Sequence, residues 1–403
     1  MRRALAFWVG AYSGLPRAVW IVCAGVLINR AGTMVLPFLG LYLTRELGFP
    51  KATAGWVLLG FGLGSLLGSA VGGRLTDRAG AVRVQVGALL AGGVAFVALA
   101  WPRTPWTLGA GVFIAAALSD AFRPAAMTAV VVLAPEAVRT RAIGLLRLAA
   151  NAGMAIGPAA GGLLARIDYF WLFVADGGTC LLASLVLWLL LRPERPVRRT
   201  GIEPEAPAGA GVLRDGAFVL FLGGLLALSA AFFQVFNTYP IYLAERLALD
   251  EARIGSLIAA NAVLIVLFEM PLVRLLERRT ALRVTAAGAA LIGGGLALTA
   301  VASSVPLLLA TVVVWTIGEM LCFPFASAVI AARAPRGLLG RYMGAFAVVF
   351  SLAAIVAPPA GLRLYEARGG ASVFLACGAI GALVCGLFLA QARAFAHRPE
   401  AGR

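Results

Sequence analysis

The sequence predicts an all-α integral membrane protein with twelve transmembrane helices in two pseudo-symmetric six-helix bundles. Three observations lead to this fold class. The mean hydropathy is +0.93, and 61% of the residues are hydrophobic while only 13% are charged, which is typical of a membrane protein. Twelve long apolar runs are separated by short charged segments, and residues of the first half recur in the second half at one fixed spacing.

Each apolar run is long enough to cross the hydrocarbon core of a bilayer as a helix and carries few charges. The predicted spans are residues 18–43, 52–73, 84–101, 106–132, 142–165, 169–191, 217–243, 253–273, 282–301, 306–332, 342–364 and 371–392.

Residues 192–216 separate the sixth run from the seventh and are rich in Pro, Arg, Glu and Ala. Such a segment cannot bury enough apolar surface to fold alone. We therefore expect a cytoplasmic linker here. It joins an N-terminal bundle (1–191) to a C-terminal bundle that ends in a short cytoplasmic tail (217–403).

The strongest sign of organisation is an internal repeat with an offset of 200 residues. Agreement of Ala and Leu at any offset is expected by chance in so apolar a chain, but agreement of Pro, Arg and Gly is not. Two parallel six-helix halves follow from this repeat. The matching pairs include Tyr42 and Tyr242, Arg78 and Arg278, Pro124 and Pro324, Gly144 and Gly344, and Pro158 and Pro358.

The distribution of basic residues sets the orientation. With the N-terminus inside, 23 of the 34 Lys and Arg residues fall on the cytoplasmic side, eight on the other side and three within spans. Basic residues are retained on the cytoplasmic side, so we expect both termini in the cytoplasm. The composition, with Lys51 as the sole lysine, suggests a bacterial plasma membrane protein.

The net charge of +16 does not indicate nucleic-acid binding, because the arginines lie between apolar runs and not on amphipathic faces. The five cysteines fall in apolar runs without metal-ligand spacing, and the sole histidine, His397, is in the tail. Neither a metal site, nor a cofactor, nor a catalytic constellation is expected, so an enzyme is disfavoured.

A charged stretch follows the second run: Gly73, Leu75, Asp77-Arg78, Gly80 and Arg83. This spacing resembles the loop between the second and third helices of major facilitator superfamily transporters. It departs from the family pattern at Val82, where a second basic residue is usual. We expect Gly73 to permit close helix approach and Gly80 to adopt a positive φ.

The family resemblance gives this loop the role of a conformational latch. In the family, its Asp interacts with the N-terminal end of the eleventh helix, and a carboxylate is favoured there electrostatically. Asp77 takes that role by position, and Arg78, Arg83 and Arg141 are its expected basic neighbours. The alternative is that Asp77 only caps its own turn.

A second motif lies in the fifth run and resembles the glycine-proline motif of the drug/proton antiporter branch of that superfamily. Physically, such glycines form a smooth strip for close packing and the proline disturbs the helix; packing alone is the simpler interpretation. The motif residues are Gly144, Gly153, Gly157, Pro158, Gly161 and Gly162.

Charged residues inside the spans are costly and therefore candidates for function. Four of them lie near the centres of predicted spans: Arg30, Asp120, Arg123 and Glu319. In the resembled fold the first, fourth, seventh and tenth helices line a central cavity, so these charges would converge there. Arg123 resembles a fourth-helix arginine of the antiporters, but the Gln-Gly expected after it is absent. Structural ion pairs are the alternative.

Glu319 and Asp120 are the proton-coupling candidates, and Glu319 is preferred because its own helix offers no basic neighbour. Glu269 and Asp176 are weaker candidates. The remaining substrate-cavity candidates are aromatic, amide and methionine side chains, which suit an amphiphilic molecule, although each is equally well explained by packing. They are Asn29, Met34, Phe38, Phe233, Gln234, Asn237, Tyr239, Trp315 and Phe323.

These features predict a monomeric, proton-coupled exporter of small amphiphilic compounds that works by alternating access. Its expected partners are the small-molecule substrate, protons and membrane lipid. The first alternative is a proton-coupled or facilitative carrier of one solute, such as a sugar, peptide or metabolite, which the two cavity arginines would suit. The second is a non-transporting receptor on the same fold, which would not need Asp120 or Glu319.

Overall fold

A computed structural model describes residues 14–135, 138–191, 214–276, 278–334 and 339–396. These ranges are almost entirely helical and contain no β-strand. Twelve helical segments within them are long and apolar enough to cross a membrane, so the predicted fold class and number of spans are confirmed. Most of the predicted linker, and His397, lie outside the described residues.

The twelve spans are built from fifteen α-helices in the described ranges, because spans 1, 4 and 7 each contain two successive helices. The helices are α1 (Arg17–Ala31), α2 (Val35–Leu41), α3 (Lys51–Ala79), α4 (Ala81–Ala98), α5 (Pro105–Asp120), α6 (Phe122–Leu133), α7 (Arg139–Ala165), α8 (Phe170–Leu190), α9 (Gly216–Phe232), α10 (Gln234–Arg246), α11 (Glu251–Leu276), α12 (Ala281–Thr299), α13 (Val305–Arg333), α14 (Leu339–Arg368) and α15 (Gly370–Ala396). A π-helical turn, Tyr42–Glu46, extends α2.

The second span is longer than predicted. The sequence placed its end at residue 73, but α3 continues to Ala79 and ends only where Gly80 adopts φ +91°. No helix-breaking residue intervenes, so Asp77 lies in the last helical turn and not in a loop. The close approach expected at Gly73 occurs at Gly72, where an added Cβ would lie 2.6 Å from the Cα of Ala121.

The first span, predicted as one helix, is interrupted between Ala31 and Val35. A proline in the third position of a helix lacks an N–H and crowds the carbonyl four residues earlier. Pro37 stands in this position in α2, and Pro124 does so in α6 after the break at Ala121. Proline alone does not cause a break, since Pro324 lies within the continuous helix α13.

The described helices form two compact units. Unit 1 comprises Met1–Phe49, Trp56–Arg198 and Asp250–Val263, and unit 2 comprises Pro50–Gly55, Arg199–Leu249 and Leu264–Arg403. The beginning of α3, up to Gly55, therefore groups with unit 2, and the first half of α11, up to Val263, groups with unit 1. The rest of each helix belongs to the other unit.

Both units pack their helices in the same order. In unit 1, α4 packs on α8 and α5, and α1 packs on α7; in unit 2, α12 packs on α15 and α13, and α9 packs on α14. Glycines at equivalent positions make the closest crossings. A Cβ at Gly93 would lie 2.8 Å from the carbonyl oxygen of Gly177, and one at Gly293 would lie 2.6 Å from the Cα of Gly381.

The glycines of α7 form most of a close contact with the first span. A Cβ added at Gly153 would lie 2.5 Å from the Cβ of Arg30, and one at Gly157 would lie 3.0 Å from the carbonyl oxygen of Thr33. Gly161 faces Met34, and Gly162 faces the backbone of Glu251. Pro158 lies inside the continuous helix α7, and its carbonyl oxygen contacts Gly255.

Gly144 differs from the other motif glycines, because an added Cβ would meet no atom within 4 Å. Close packing therefore does not require glycine at this position.

Asp215 organises the beginning of unit 2. Its side chain accepts hydrogen bonds from the backbone N–H of Phe218 at 3.1 Å and from Nε of Arg333 at 2.6 Å. Partial burial alone would raise the pKa of the Asp215 carboxyl, but the hydrogen bonds and charge of Arg333 outweigh it and hold the pKa below its ordinary value. Asp215 thus caps α9 and ties it to α13.

The first prediction concerns the packing strip. Replacing Gly153 with Leu should destabilise the protein by about 1–3 kcal/mol, because the new side chain must displace the backbone of α1. Gly144→Leu is the matched control in the same helix and should leave the thermal midpoint in detergent nearly unchanged. Equal stability of the two variants would show that the strip does not restrict side-chain size.

The second prediction concerns Asp215. Asp215→Ala should lower stability by about 1.5–3 kcal/mol, since a charge-assisted hydrogen bond and a helix cap are both lost. Because the folded pKa is lowered, this contribution is present above the ordinary Asp pKa of about 3.9 and is lost as pH falls through the folded value.

The control for this change is Asp168→Ala. Asp168 accepts a hydrogen bond from the N–H of Phe170 at 2.7 Å, and no ion pair of Asp168 with a described residue is seen. Thermal unfolding followed by tryptophan fluorescence at pH 7 should show a larger loss for Asp215→Ala. A loss no larger than that of the control would contradict the tie between α9 and α13.

Candidate functional site

An ion pair lies at the break in the fourth span of unit 1. Nε of Arg123 lies 2.8 Å from Oδ1 of Asp120, and the hydroxyl of Ser65 donates to the other carboxylate oxygen. The side chain of Asp120 is 11% exposed, whereas that of Arg123 is 47% exposed. The pair therefore has one buried acidic partner and one basic partner that is about half exposed.

A second buried carboxylate, Asp176, closes the break in the first span. Its Oδ2 accepts hydrogen bonds from the backbone N–H groups of Met34 at 3.2 Å and Val35 at 3.1 Å. These are N–H groups at the start of α2, which have no partner within that helix. Asp176 is thus the N-terminal cap of α2, supplied from α8.

Arg30 lies at the end of α1, within Coulombic range of Asp120, Asp176 and Arg123. Its Cβ contacts the glycine strip of α7 at Gly153. The charged cluster of unit 1, formed by Arg30, Asp120, Arg123 and Asp176, contains two basic and two acidic groups. Such mutual neutralisation is what permits charges to persist within spans.

The charged cluster is bordered by smaller polar groups. The amide of Asn29 donates to the Sγ of Cys180 at 3.3 Å, and the hydroxyl of Thr179 donates to the carbonyl oxygen of Asp176 at 2.8 Å. Among the described residues, no group of three or more His, Cys, Asp and Glu side chains could hold a metal ion.

Unit 2 has an aromatic cluster that includes Phe323, the residue that the repeat relates to Arg123 of unit 1. The ring of Phe232 lies 5.4 Å from that of Phe323, which lies 4.9 Å from that of Phe350. Several of these rings are half-buried and can offer a face to a ligand. The aromatic cluster comprises Phe232, Phe233, Phe236, Trp315, Phe323, Phe346 and Phe350.

The sequence anticipated Phe233, Trp315 and Phe323 as candidates for ligand contact. It missed Phe346 and Phe350, which stand at a spacing of four on α14. This spacing puts two side chains on one helix face and could have drawn attention to them.

Other cavity candidates serve internal packing in this structure. Phe38, Tyr239 and Trp315 are fully buried. The amide of Gln234 donates to the carbonyl oxygen of Ala357 at 2.8 Å, and that of Asn237 donates to the carbonyl oxygen of Phe233 at 2.6 Å. Met34 is buried at the helix break. These side chains would have to move before a ligand could touch them.

The preferred proton-coupling candidate, Glu319, is half-buried in α13 of unit 2. Glu269 is half-buried in α11. Their roles stay predictions, and the same holds for the latch. Asp77, Arg78, Arg83 and Arg141 are all exposed, and residues 335–338, which precede α14, lie outside the described ranges.

Two ion pairs that the sequence did not reveal are related to each other by the repeat. In unit 1, Arg45 lies 3.8 Å from Glu251, and in unit 2, Lys51 lies 2.9 Å from Glu245. The positions differ by 200 residues, with the charges exchanged. Each pair fastens the first turn of α11 or α3 to the unit that includes it.

The comparisons with known proteins agree with this architecture. The family model of the Major Facilitator Superfamily matches residues 21–357 and 220–403. A Na(+), Li(+), K(+)/H(+) antiporter of Planococcus maritimus is 26% identical over 368 residues, covering 82% of this chain and 85% of the relative. The multidrug resistance protein MdtH of Aeromonas hydrophila is 28% identical over 320 residues, covering 77% and 78%.

Solved structures of transporters share the fold at low sequence identity. A POT family transporter in complex with 5-aminolevulinic acid aligns with a TM-score of 0.80 at 16% identity, over 95% of this chain and 97% of that structure. The nucleoside transporter NupG aligns with a TM-score of 0.74 at 14% identity, over 92% and 98%. From the family match along its length, the chain belongs to the Major Facilitator Superfamily of membrane transporters.

Proposed function

We propose that this transporter exports small amphiphilic organic compounds in exchange for protons across the bacterial plasma membrane, as a monomer with cytoplasmic termini. The observation that carries the proposal is the Asp120–Arg123 pair in the fourth span. A buried carboxylate needs either a basic partner or a proton, and here the basic partner is accessible while the acid is buried.

The pair offers a simple exchange. When Asp120 is ionised, it pairs with Arg123 or, in its place, with a cationic or hydrogen-bond-donating group of the substrate. When Asp120 takes up a proton from the outer side, it no longer holds that group and the substrate leaves. Release of the proton on the inner side restores the ionised Asp120, so that proton and substrate occupy the site in turn. Ser65 donates a hydrogen bond to Asp120 in the structure. Glu319 in unit 2 is the second carboxylate proposed to carry a proton.

The aromatic cluster of unit 2 supports an amphiphilic cargo. Half-buried rings such as those of Phe233 and Phe323 bind apolar or aromatic groups without fixing one substrate shape. The similarity to MdtH, a multidrug resistance protein, supports the same substrate class.

A second candidate function is exchange of monovalent cations for protons. It is favoured by the similarity to a Na(+), Li(+), K(+)/H(+) antiporter over 82% of this chain. The buried carboxylates Asp120 and Asp176 would then serve the cation as well as the proton. A third candidate function is transport of one organic solute, as the names of the POT family and nucleoside transporters indicate for those proteins.

The third prediction tests this proposal with proton flux in proteoliposomes that contain a pH-sensitive dye. Amphiphilic cations, zwitterions and anions should each be added to wild-type protein. Substrate-evoked proton movement should occur and should be lost in Asp120→Asn or in Glu319→Gln, because the neutral side chain cannot release a proton.

The matched control is Asp168→Asn, which removes an acidic side chain outside the spans and should behave as wild type. Proton movement evoked by Na⁺ or K⁺ alone would favour the second candidate. Substrate movement without proton flux, unchanged in both span variants, would refute proton coupling and leave a facilitator.

A further inference from the structure

A basic depression lies in unit 2 where α11 ends and α12 begins. Its volume is about 540 Å³, and its lining combines three basic residues with apolar ones: Arg278, Arg279 and Arg283 with Leu276, Val284 and Leu321. This loop connects an even-numbered span to an odd-numbered one, the side that the arginine distribution assigns to the cytoplasm.

The arginines of the basic depression are available to a ligand. All three are exposed, and none forms an ion pair or hydrogen bond with another described residue. Glu277, the one acidic residue in this stretch of sequence, lies outside the described residues. The positive charges therefore have no compensating carboxylate among the described groups that face them.

The first turn of α12 adds further donors. Thr280 precedes this helix without a side-chain cap, and no acidic residue stands in the first turn. The first two N–H groups of the helix, which have no partner within it, and the positive end of the helix dipole are thus also suited to an anion. The N–H of Arg283 donates to the carbonyl oxygen of Thr280 at 2.9 Å. Arg283 lies in this first turn, so the side-chain charge and the backbone donors act together.

The apolar part of the lining continues into the core. Leu321 and Val284 pack with Phe325, and Leu276 packs against the same group. A free phosphate ion would gain nothing from this apolar part. A molecule that joins a negatively charged head to a hydrocarbon chain would use both parts.

We propose that the basic depression binds an anionic membrane phospholipid, with its phosphodiester on Arg278, Arg279 and Arg283 and the start of its acyl chains on Leu276 and Leu321. A cluster of arginines beside a transmembrane helix on the cytoplasmic side is suited to such headgroups. This site is separate from the transport function proposed above and does not depend on it.

The first half of the repeat lacks the full set of donors. The positions equivalent to Arg278, Arg279, Thr280 and Arg283 are Arg78, Ala79, Gly80 and Arg83. One arginine and the threonine are therefore specific to the second half. The lipid site belongs to unit 2 alone.

The fourth prediction is tested by native mass spectrometry of the delipidated full-length protein in detergent, titrated with phosphatidylglycerol, phosphatidylcholine or inorganic phosphate. Wild-type protein should retain phosphatidylglycerol in preference to phosphatidylcholine of the same chain length. The double variant Arg279→Gln/Arg283→Gln should bind phosphatidylglycerol about tenfold or more weakly, given the contribution of each arginine near an anionic headgroup.

The charge-matched control is Arg74→Gln/Arg253→Gln, in which both replaced arginines are exposed and lie outside the depression. This variant should keep wild-type affinity. If it loses as much affinity as the test variant, binding reflects overall charge and the proposal fails. Unchanged affinity of the test variant, or equal competition by inorganic phosphate, would also overturn it. Should the double variant aggregate, Arg279→Gln alone is measured against the same criteria.

Discussion

A charged side chain inside a membrane-spanning helix needs a compensating partner nearby. In unit 1 this requirement determines where the charged side chains and the helix breaks lie. A single unpaired charge at the centre of a span costs roughly 2.5–3.5 kcal/mol on insertion scales. Asp120 is compensated by Arg123, and Asp176 by hydrogen bonds from the N–H groups of Met34 and Val35 at the break in the first span. The helix break and the buried acid therefore stabilise each other.

The same constraint brings the charged cluster together. α8 must stay close to the break for Asp176 to cap α2, and Arg30 stands at the end of α1, on the other side of that break. The glycine strip of α7 lets that helix approach the same segment, with Gly153 against Arg30. Packing and electrostatics thus specify one arrangement of the first, fifth and sixth spans.

Between the two halves of the repeat, a glycine at a close helix crossing is retained, whereas charged side chains within the spans are not. Gly93 and Gly293 make equivalent crossings, yet the position equivalent to Arg123 is Phe323, and that equivalent to Arg30 is Ala230. At this crossing a Cβ would clash in either unit, so both halves have glycine there. The side chains at other equivalent positions differ, with a charged cluster in one unit and an aromatic cluster in the other.

The sequence was sufficient for the twelve spans, because hydropathy over twenty residues directly reports burial in lipid. The sequence did not reveal the helix break after Ala31. Pro37 and Pro324 both stand within apolar runs, but a break precedes only Pro37, and Pro324 lies within a continuous helix. The role of Asp176 was also missed, because a cap supplied from 141 or 142 residues away leaves no local pattern.

The most direct test of the central claim is infrared difference spectroscopy of the protein in lipid, recorded with and without a transported compound. We expect the C=O band of a protonated carboxyl group to change when the compound binds, and this change to be absent in Asp120→Asn but retained in Asp168→Asn. A spectrum with no carboxyl change, or one that Asp120→Asn leaves intact, would contradict the exchange of proton and substrate at the Asp120–Arg123 pair.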